Sequence, residues 1–331
     1  MCDTAYAGNA RSHMRGSRAV HERTLRRSLL TLVIAVAALA VLPAAAPAAP
    51  SRDARLPMVT FNVLAPVWAA PDWYPTEMDM SLLDAGYRRA RITSFLASRA
   101  ADTDVFCLQE VQESELPAFL AALGSGFTGA MAHNDRDWWS NWVVPAIPWA
   151  PNGTAIVVRR QAFSNLTFRD IPLSGDGNHA ELVAGVHKAT GRRFRAASIH
   201  LDSDVEANRG REANALMAEL PQAAGTTDVV CGDFNEDAVT GTAGGIMRRA
   251  GFADVLDAVG NREPTHPWSS SYNGATRWAI IDHLTVREAR PLSGDVLDFG
   301  GLSIADELSR IESNFRTTGS DHYPVAGAAG L

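Results

Sequence analysis

Seven short runs rich in β-branched and aromatic residues, each bounded by turn-forming residues, constrain the fold of this chain more than any other feature. The runs are 58–64, 104–111, 153–160, 193–201, 227–234, 279–286 and 322–328. Helical patterns at 84–100, 204–220 and 243–250 lie between some of them, in β-α-β order both early and late. This order predicts a mixed α/β fold in which buried sheets are covered by helices.

The domain organisation follows from the absence of interruptions in this pattern. The chain has 331 residues, 46% of them hydrophobic, which is enough to bury a full core. No low-complexity linker or solenoid repeat occurs after residue 56. We therefore predict one domain over residues 57–331, preceded by a short linker at 49–56.

Residues 1–48 have the features of an export signal. Arginines precede an apolar run from Leu29 to Leu42, and the small residues of "PAAAPAAP" follow it. This order predicts a signal peptide cleaved after Ala48, and therefore a secreted protein. The adjacent Arg26 and Arg27 also fit a twin-arginine export signal, so export by this route is an alternative to the general secretory route. An uncleaved membrane anchor is the alternative, and the short apolar run argues against it.

The charge of the predicted mature chain bears on its substrates. It carries 24 basic and 35 acidic residues, a net charge of −11, and Lys188 is its one lysine. Non-specific nucleic-acid binding is driven by lysine and arginine side chains that neutralise phosphates. The acidic balance therefore argues against a processive nucleic-acid binder.

Two cysteines remain in the predicted mature chain, and both lie in predicted strands. Strict alternation of side chains places Cys231 on the same face as Asp233, and Cys107 on the face opposite to Glu110. If both acids point into one site, the two cysteines point in different directions. We therefore predict buried thiols and no disulfide.

Polar side chains stand at or just after the ends of the predicted strands. They are Asn62, Glu110, His200, Asp233, Asn235, Asp282, Asp321 and His322. Unpaired carboxylates are costly in apolar strands, and α/β sheets gather ligands at strand ends, so we expect these groups to converge. Their many oxygens suit Mg²⁺, with Mn²⁺ or Ca²⁺ as alternatives, rather than Zn²⁺. A hard cation with a histidine suggests hydrolysis of a phosphate ester.

Seven stretches resemble the endonuclease/exonuclease/phosphatase family in their order and spacing. They are "TFNVLAP", "CLQEV", "NGTAIVV", "SIHLDS", "CGDFNED", "IDHLTV" and "SDHYPV", and they span about residues 57–328. "GDFN" and "SDH" are the most specific, and the "NVLAP" region is most similar to the deadenylase and nocturnin branch. The resemblance implies a single-domain, four-layer α/β/β/α sandwich of the DNase-I type.

The resemblance also implies which residues bind a metal ion and water. Glu110 in "LQEV" would be the main Mg²⁺ ligand, with Asn62 and Asp321 beside it. Asp233 and Asn235 in "GDFN" would position the attacking water and a phosphate oxygen.

The histidines receive roles in the same way. His200 would form a hydrogen bond to the scissile phosphate. His322 would be the general base or a phosphate contact, and Asp282 would accept its other ring proton. His283 follows Asp282 directly and should face the opposite way, so we expect it to be structural. Arg209 is a candidate phosphate contact, with an ordinary surface ion pair as the alternative.

The tract 135–153 matches no stretch of the family. It holds Trp138, Trp139 and Trp142, and its prolines favour an ordered loop over a helix. Local packing is one interpretation. The other is an aromatic rim that stacks a base or sugar or enters a membrane interface, and Tyr74 could share it.

These features together predict a secreted Mg²⁺-dependent phosphoesterase that acts as a monomer, without a protein partner, on a nucleotide or another small phosphorylated molecule. A secreted nuclease acting on nucleic acid is the close rival. A sphingomyelinase-like phospholipase is third, because the tryptophan tract could contact membrane lipid. A binding module that has lost catalysis is the non-enzymatic alternative, which the complete set of metal and base positions argues against.

Overall fold

The computed structural model describes residues 54–135, 152–173, 177–266, 269–270, 275–276, 279–297 and 307–331. The predicted signal peptide lies outside the described residues. So do Trp138, Trp139 and Trp142, whose predicted contact with substrate therefore stays a prediction.

Two mixed sheets of six strands form the centre of the described structure. In chain order the strands are β1 (Arg55–Asn62), β2 (Val105–Gln112), β3 (Phe127–His133), β4 (Asn152–Arg159), β5 (Phe163–Pro172), β6 (His179–His187), β7 (Arg193–His200), β8 (Thr226–Asp233), β9 (Ala253–Asp254), β10 (Ser269–Ser270), β11 (Ala275–Thr276), β12 (Asp282–Arg287), β13 (Arg290–Val296) and β14 (Val325–Gly330). The first sheet has the order β13-β14-β1-β2-β4-β3, and the second has the order β5-β6-β7-β8-β12-β9. β10 and β11 pair separately.

Helices flank the sheets. They are α1 (Ala85–Arg99), α2 (Leu116–Leu123), α3 (Glu206–Glu219), α4 (Thr242–Arg249), α5 (Val255–Ala258) and α6 (Glu307–Thr318), with 3₁₀ turns at Pro71–Trp73 and Met80–Leu83. α1 begins where the Asp84 side chain accepts a hydrogen bond from Tyr87 N (2.7 Å), which satisfies a free amide of the first turn. None of the helices in the described ranges has the length and apolar character needed to cross a bilayer.

Three apolar clusters arrange these elements in layers. Between the sheets, Met58 and Ile156 of the first sheet pack with Phe194 and Leu284 of the second. On the outer face of the first sheet, the buried stripe of α1 at Ile92, Phe95 and Leu96 packs with residues of α2. On the outer face of the second sheet, Leu216 of α3 and Met247 of α4 pack against strand residues. The predicted four-layer α/β/β/α sandwich is confirmed.

Parallel strand pairs bring the polar strand ends together. β1 pairs with β2 in parallel, and β7 pairs with β8 in parallel, with α1 and α3 in the respective crossovers. Because parallel strands end at the same edge of a sheet, His200 and Asp233 are register partners. Asp282, at the start of antiparallel β12, is the register partner of Asp233 on its other side.

The first strand begins two residues before the predicted start of the domain. β1 begins at Arg55, inside the predicted linker, because Arg55 and Leu56 pair with Gly330 and Ala329 of β14. At the other end, β14 begins only at Val325, so Asp321 and His322 precede the strand that was predicted to contain His322.

The prediction of no disulfide is wrong, because Cys107 and Cys231 form a disulfide bond, with their Cα atoms 6.0 Å apart. Alternation fails in β2, where the register against β4 shifts between Leu108 and Val111. Glu110 lies within this bulge and has a positive φ of 56°. A bulge inserts one residue into a strand, so residues on its two sides lose their alternating relationship. Cys107 and Glu110 therefore both face the second sheet.

Candidate active site

Asn62 connects the two sheets at the edge where the polar strand ends meet. Its Nδ2 donates hydrogen bonds to Glu110 Oε1 (2.9 Å) and to Asp233 Oδ2 (3.1 Å). Its Oδ1 accepts a hydrogen bond from Leu64 N (2.9 Å), which sets the orientation of the amide. Because it donates to both, Asn62 orients the two carboxylates. Its predicted role as a metal ligand stays a prediction.

Glu110 is held by two neutral donors. Asn62 donates to Oε1, and Ala65 N donates to Oε2 over 2.9 Å. Its left-handed backbone conformation costs an ordinary side chain about 1–2 kcal/mol, so the bulge turns this carboxylate toward the site at a cost in stability.

His322 and Asp282 form the predicted pair. His322 Nδ1 donates to Asp282 Oδ2 over 2.9 Å, and both side chains are buried. Nε2 of the same ring lies 3.7 Å from Asp233 Oδ2. Burial alone lowers the pKa of His322, but the carboxylates of Asp282, Asp233 and Asp321 raise it well above its ordinary value. The protonated imidazolium is therefore the favoured form at neutral pH.

Asp233 lies between two histidines. Its Oδ2 is 3.6 Å from His200 Nε2 and 3.7 Å from His322 Nε2, and its Oδ1 accepts from Asn235 N (2.8 Å). Burial alone raises the pKa of Asp233, but the charges of the two histidines and the hydrogen bonds from Asn235 and Asn62 lower it below its ordinary value. At neutral pH Asp233 is therefore a carboxylate.

Asp321 has a partner that sequence analysis did not identify. Tyr74, which follows the 3₁₀ turn Pro71–Trp73, donates its hydroxyl to Asp321 Oδ2 over 3.0 Å. Burial, followed by the charge of Asp321, raises the pKa of Tyr74 well above 10, so the phenol remains a donor. The sequence marked Tyr74 only as an aromatic residue near a candidate site.

Arg88 joins two loops beneath the site. It is only 1% exposed and donates Nε to Gly319 O (3.1 Å), Nη1 to Leu64 O (2.8 Å) and Nη2 to Val63 O (2.8 Å). The loop after β1 is thus attached to the loop before β14. In the sequence, Arg88 lies four residues before Ile92 and therefore on the same, apolar face of α1. An arginine on an apolar helix face is the feature that could have indicated a buried role.

His266 is the other residue that sequence analysis missed. Its ring centroid lies 4.4 Å from that of His322, with the ring planes inclined at 38°. Burial and then the charge of His322 lower the pKa of His266 to about 4, so its ring is neutral at physiological pH. It lies outside every predicted strand and family-like stretch, and only the tertiary fold brings it here.

Two further predicted residues have partners away from this centre. Arg209 Nε forms an ion pair with Glu236 (3.0 Å), and its Nη1 donates to Asp202 O (2.9 Å). The ion-pair interpretation therefore describes its observed contacts, and a contact with phosphate stays a prediction. His283 pairs with Asp254 (3.0 Å) on the opposite face of β12 from Asp282, which confirms its structural role.

The carboxylates of the site have the chemistry of a divalent-cation site. Among the described residues, Glu110 and Asp321 form no ion pair with arginine, lysine or histidine, and the donors that reach them directly include the neutral Asn62 and Tyr74. Clustered carboxylates without a paired cation are what a hard cation neutralises, and oxygen donors suit Mg²⁺. The residues present therefore fit the ion that the resemblance implies.

Comparison with known proteins identifies one matching family. The model of the Endonuclease/Exonuclease/phosphatase family matches residues 59–322. No curated protein sequence matches the chain significantly.

Solved structures of low sequence identity share the fold. An endonuclease/exonuclease/phosphatase from Bacteroides vulgatus has a TM-score of 0.60 at 18% identity, over 84% of this chain and 99% of that one. The human nocturnin catalytic domain has a TM-score of 0.59 at 17% identity, over 85% and 95%. The Bacteroides thetaiotaomicron mannosyl-6-phosphatase has a TM-score of 0.59 at 17% identity, over 83% and 100%. The family match over most of the chain, on the fold that family members share, means that the chain belongs to the endonuclease/exonuclease/phosphatase family, a family of hydrolases that act on phosphate esters.

Proposed function

We propose that the protein is a secreted, Mg²⁺-dependent phosphoesterase whose reaction takes place between Asp233 and the His322–Asp282 pair. The observation that carries the proposal is the position of Asp233 Oδ2, 3.6 Å from His200 Nε2 and 3.7 Å from His322 Nε2. A carboxylate with a lowered pKa beside a histidine with a raised pKa provides a proton acceptor and a cation in one site.

Mg²⁺ would be held by Glu110 and Asp321, which Asn62 and Tyr74 orient through hydrogen bonds. When bound, it would supply positive charge to neutralise phosphate oxygens and the departing oxygen. The remaining chemistry is assigned to side chains of this chain.

Asp233 would take a proton from the attacking water as the water oxygen forms its bond to phosphorus. The ester P–O bond then breaks, and the leaving oxygen departs with the bonding pair. His322, as an imidazolium held by Asp282, would donate from Nε2 to a non-bridging phosphate oxygen, and His200 would contact another. Between the two roles open for His322 in the sequence, its raised pKa therefore favours the phosphate contact over the general base.

A small phosphorylated molecule or nucleotide is the proposed substrate class. The net charge of −11 in the predicted mature chain gives little long-range attraction to a polyanion. Similarity to a mannosyl-6-phosphatase is consistent with a small substrate. Secretion is supported by the Cys107–Cys231 disulfide, since disulfides persist mainly in oxidising compartments.

The test is hydrolysis by the purified mature chain, residues 49–331. A chromogenic phosphodiester, a set of sugar phosphates and nucleotides, single-stranded DNA and sphingomyelin vesicles would each be assayed with Mg²⁺ and with EDTA, beside His322→Ala. Mg²⁺-dependent cleavage that is lost in the variant supports the proposal. Preference for DNA would select the nuclease, and preference for vesicles the phospholipase. Absence of cleavage of every substrate would contradict it and favour the binding module.

A further inference from the structure

A second group of potential ligands lies beside the proposed reaction centre and contains two histidines. One ring nitrogen of His266, one ring nitrogen of His322 and one carboxylate oxygen of Asp321 all lie within 4.8 Å of one another. The reaction proposed above uses His322 and Asp321 and gives no role to His266. The donor set of two imidazole nitrogens and one oxygen also differs from the carboxylate set around Glu110.

The backbone holds His266 in this position. Thr265 N and His266 N both donate to Ala279 O, over 3.0 and 3.1 Å. Thr265 O in turn accepts from Tyr323 N over 2.7 Å. The segment that carries His266 is therefore bonded directly to the residue after His322, so the two imidazoles are placed together by the fold.

The other two ligands are oriented by their own partners. His322 Nδ1 is committed to Asp282, which leaves Nε2, 3.7 Å from Asp233 Oδ2, as the nitrogen that can bind a cation after it releases its proton. Tyr74 donates to Asp321 Oδ2, and Ser320 Oγ reaches Oδ1 only at 3.4 Å, which leaves Oδ1 the less engaged oxygen. Metal ligands in proteins are typically oriented in this way by hydrogen bonds from a second layer of groups.

We propose that His266, Asp321 and His322 form a binding site for a borderline divalent cation of the Zn²⁺ type, and that occupation of this site inhibits the enzyme. Two imidazoles and a carboxylate, with a further position open, are a donor set that Zn²⁺ and Co²⁺ favour. Mg²⁺ prefers oxygen ligands, so it would select the Glu110 side of the cleft.

Inhibition follows from the atoms that the two processes share. A cation on His322 Nε2 removes the nitrogen that would contact phosphate, and a cation on Asp321 removes a proposed Mg²⁺ ligand. This inhibitory part of the inference rests on the proposed function. The binding of the cation does not, so the two parts are tested separately.

Binding is measured by titrating the chelator-treated full chain with Co²⁺ and following its visible absorption, with Zn²⁺ as competitor. The wild type should show a tight component that His266→Phe weakens at least about tenfold, because one of three ligands is lost. Glu110→Ala is the matched control and should keep the wild-type affinity. Equal Co²⁺ affinity in the wild type and in His266→Phe would overturn the proposal, whatever the activity of the protein.

Two controls keep this result interpretable. Thermal unfolding in EDTA checks that each variant folds, and His266→Asn replaces His266→Phe if the larger ring prevents folding. Inhibition is measured in a separate experiment, as the rate of hydrolysis of the best phosphate ester in Mg²⁺ at increasing Zn²⁺ concentration. The rate of each protein is expressed relative to its own rate without Zn²⁺. Zn²⁺ should inhibit the wild type at a concentration at least about tenfold lower than the His266 variant requires. Tight Co²⁺ binding without inhibition by Zn²⁺ would overturn the inhibitory role.

Discussion

Asp282 Oδ2 lies 2.9 Å from His322 Nδ1, and both side chains are buried, although 40 positions separate the residues in the chain. The register of β12 against β8 places Asp282 opposite Asp233. One carboxylate therefore orients the His322 ring from one side, while Nε2 on the other side faces a second carboxylate. The arrangement sets both the orientation of the His322 ring and its charge.

Replacing Asp282 tests this arrangement. Asp282→Asn removes the charge that stabilises the imidazolium, and we expect kcat to fall about 100-fold or more, with Mg²⁺ saturating. Asp254→Asn is the matched control, because it removes the same kind of partner from His283 on the opposite face of the strand. It should lower the melting temperature and leave kcat within a few-fold of the wild type. Similar losses of kcat in both variants would count against a specific role for Asp282.

Glu110 allows its function and its backbone strain to be separated. Glu110→Ala and Glu110→Gly should both lose most Mg²⁺-dependent activity, because each removes the proposed main ligand. Since φ is 56° at this position, the glycine variant should be more stable than the alanine variant by about 1 kcal/mol. Rates against Mg²⁺ concentration and urea unfolding give the two readouts. An unchanged rate at limiting Mg²⁺ would exclude Glu110 from the metal site, and a more stable alanine variant would argue against the left-handed conformation.

The buried His283–Asp254 pair predicts how stability depends on pH. Burial alone lowers the pKa of His283, but the hydrogen bond and charge of Asp254 raise it above its ordinary value near 6.5. Proton binding therefore favours the folded state, and this stabilisation is complete below about pH 6.5 and is lost as pH rises through the folded-state pKa. The advantage of the wild type over His283→Asn in free energy of unfolding should shrink from about pH 6 to about pH 9. An advantage that grows over this range would contradict the raised pKa.

The disulfide predicts a large dependence of stability on oxidation. Cys107 and Cys231 are 124 residues apart and connect the two sheets, so their bond restricts the unfolded chain strongly. Replacing both by alanine should lower the free energy of unfolding by about 2–5 kcal/mol. The wild type treated with a reductant should fall to a similar value, and the double variant should not respond. A wild type that is indifferent to reductant would mean that the bond does not form in solution.

Local sequence patterns were enough to predict the kind of fold and most of the site. Strand runs bounded by turns and apolar stripes such as Ile92, Phe95 and Leu96 depend on interactions between neighbours in the chain, so they can be identified without the tertiary structure. The polar strand ends could be expected to converge for the same reason, since the ends of parallel strands meet. The structure brings Asn62, Glu110, His200, Asp233, Asp282 and His322 together.

Contacts between distant segments were decided only by the tertiary structure. The bulge at Glu110 arises from pairing with β4, and because it changes which face a side chain occupies, the alternation rule failed for Cys107. Tyr74 and His266 reach the site from loops, whose paths depend on what they pack against rather than on a repeating pattern. The strand and helix patterns of this chain thus determined its fold class, a mixed α/β fold with sheets covered by helices, and the strand ends where its chemistry lies. Long-range packing, which no local pattern encodes, decided which oxygen each donor contacts. It also decided that His266 joins His200 and His322 at the site.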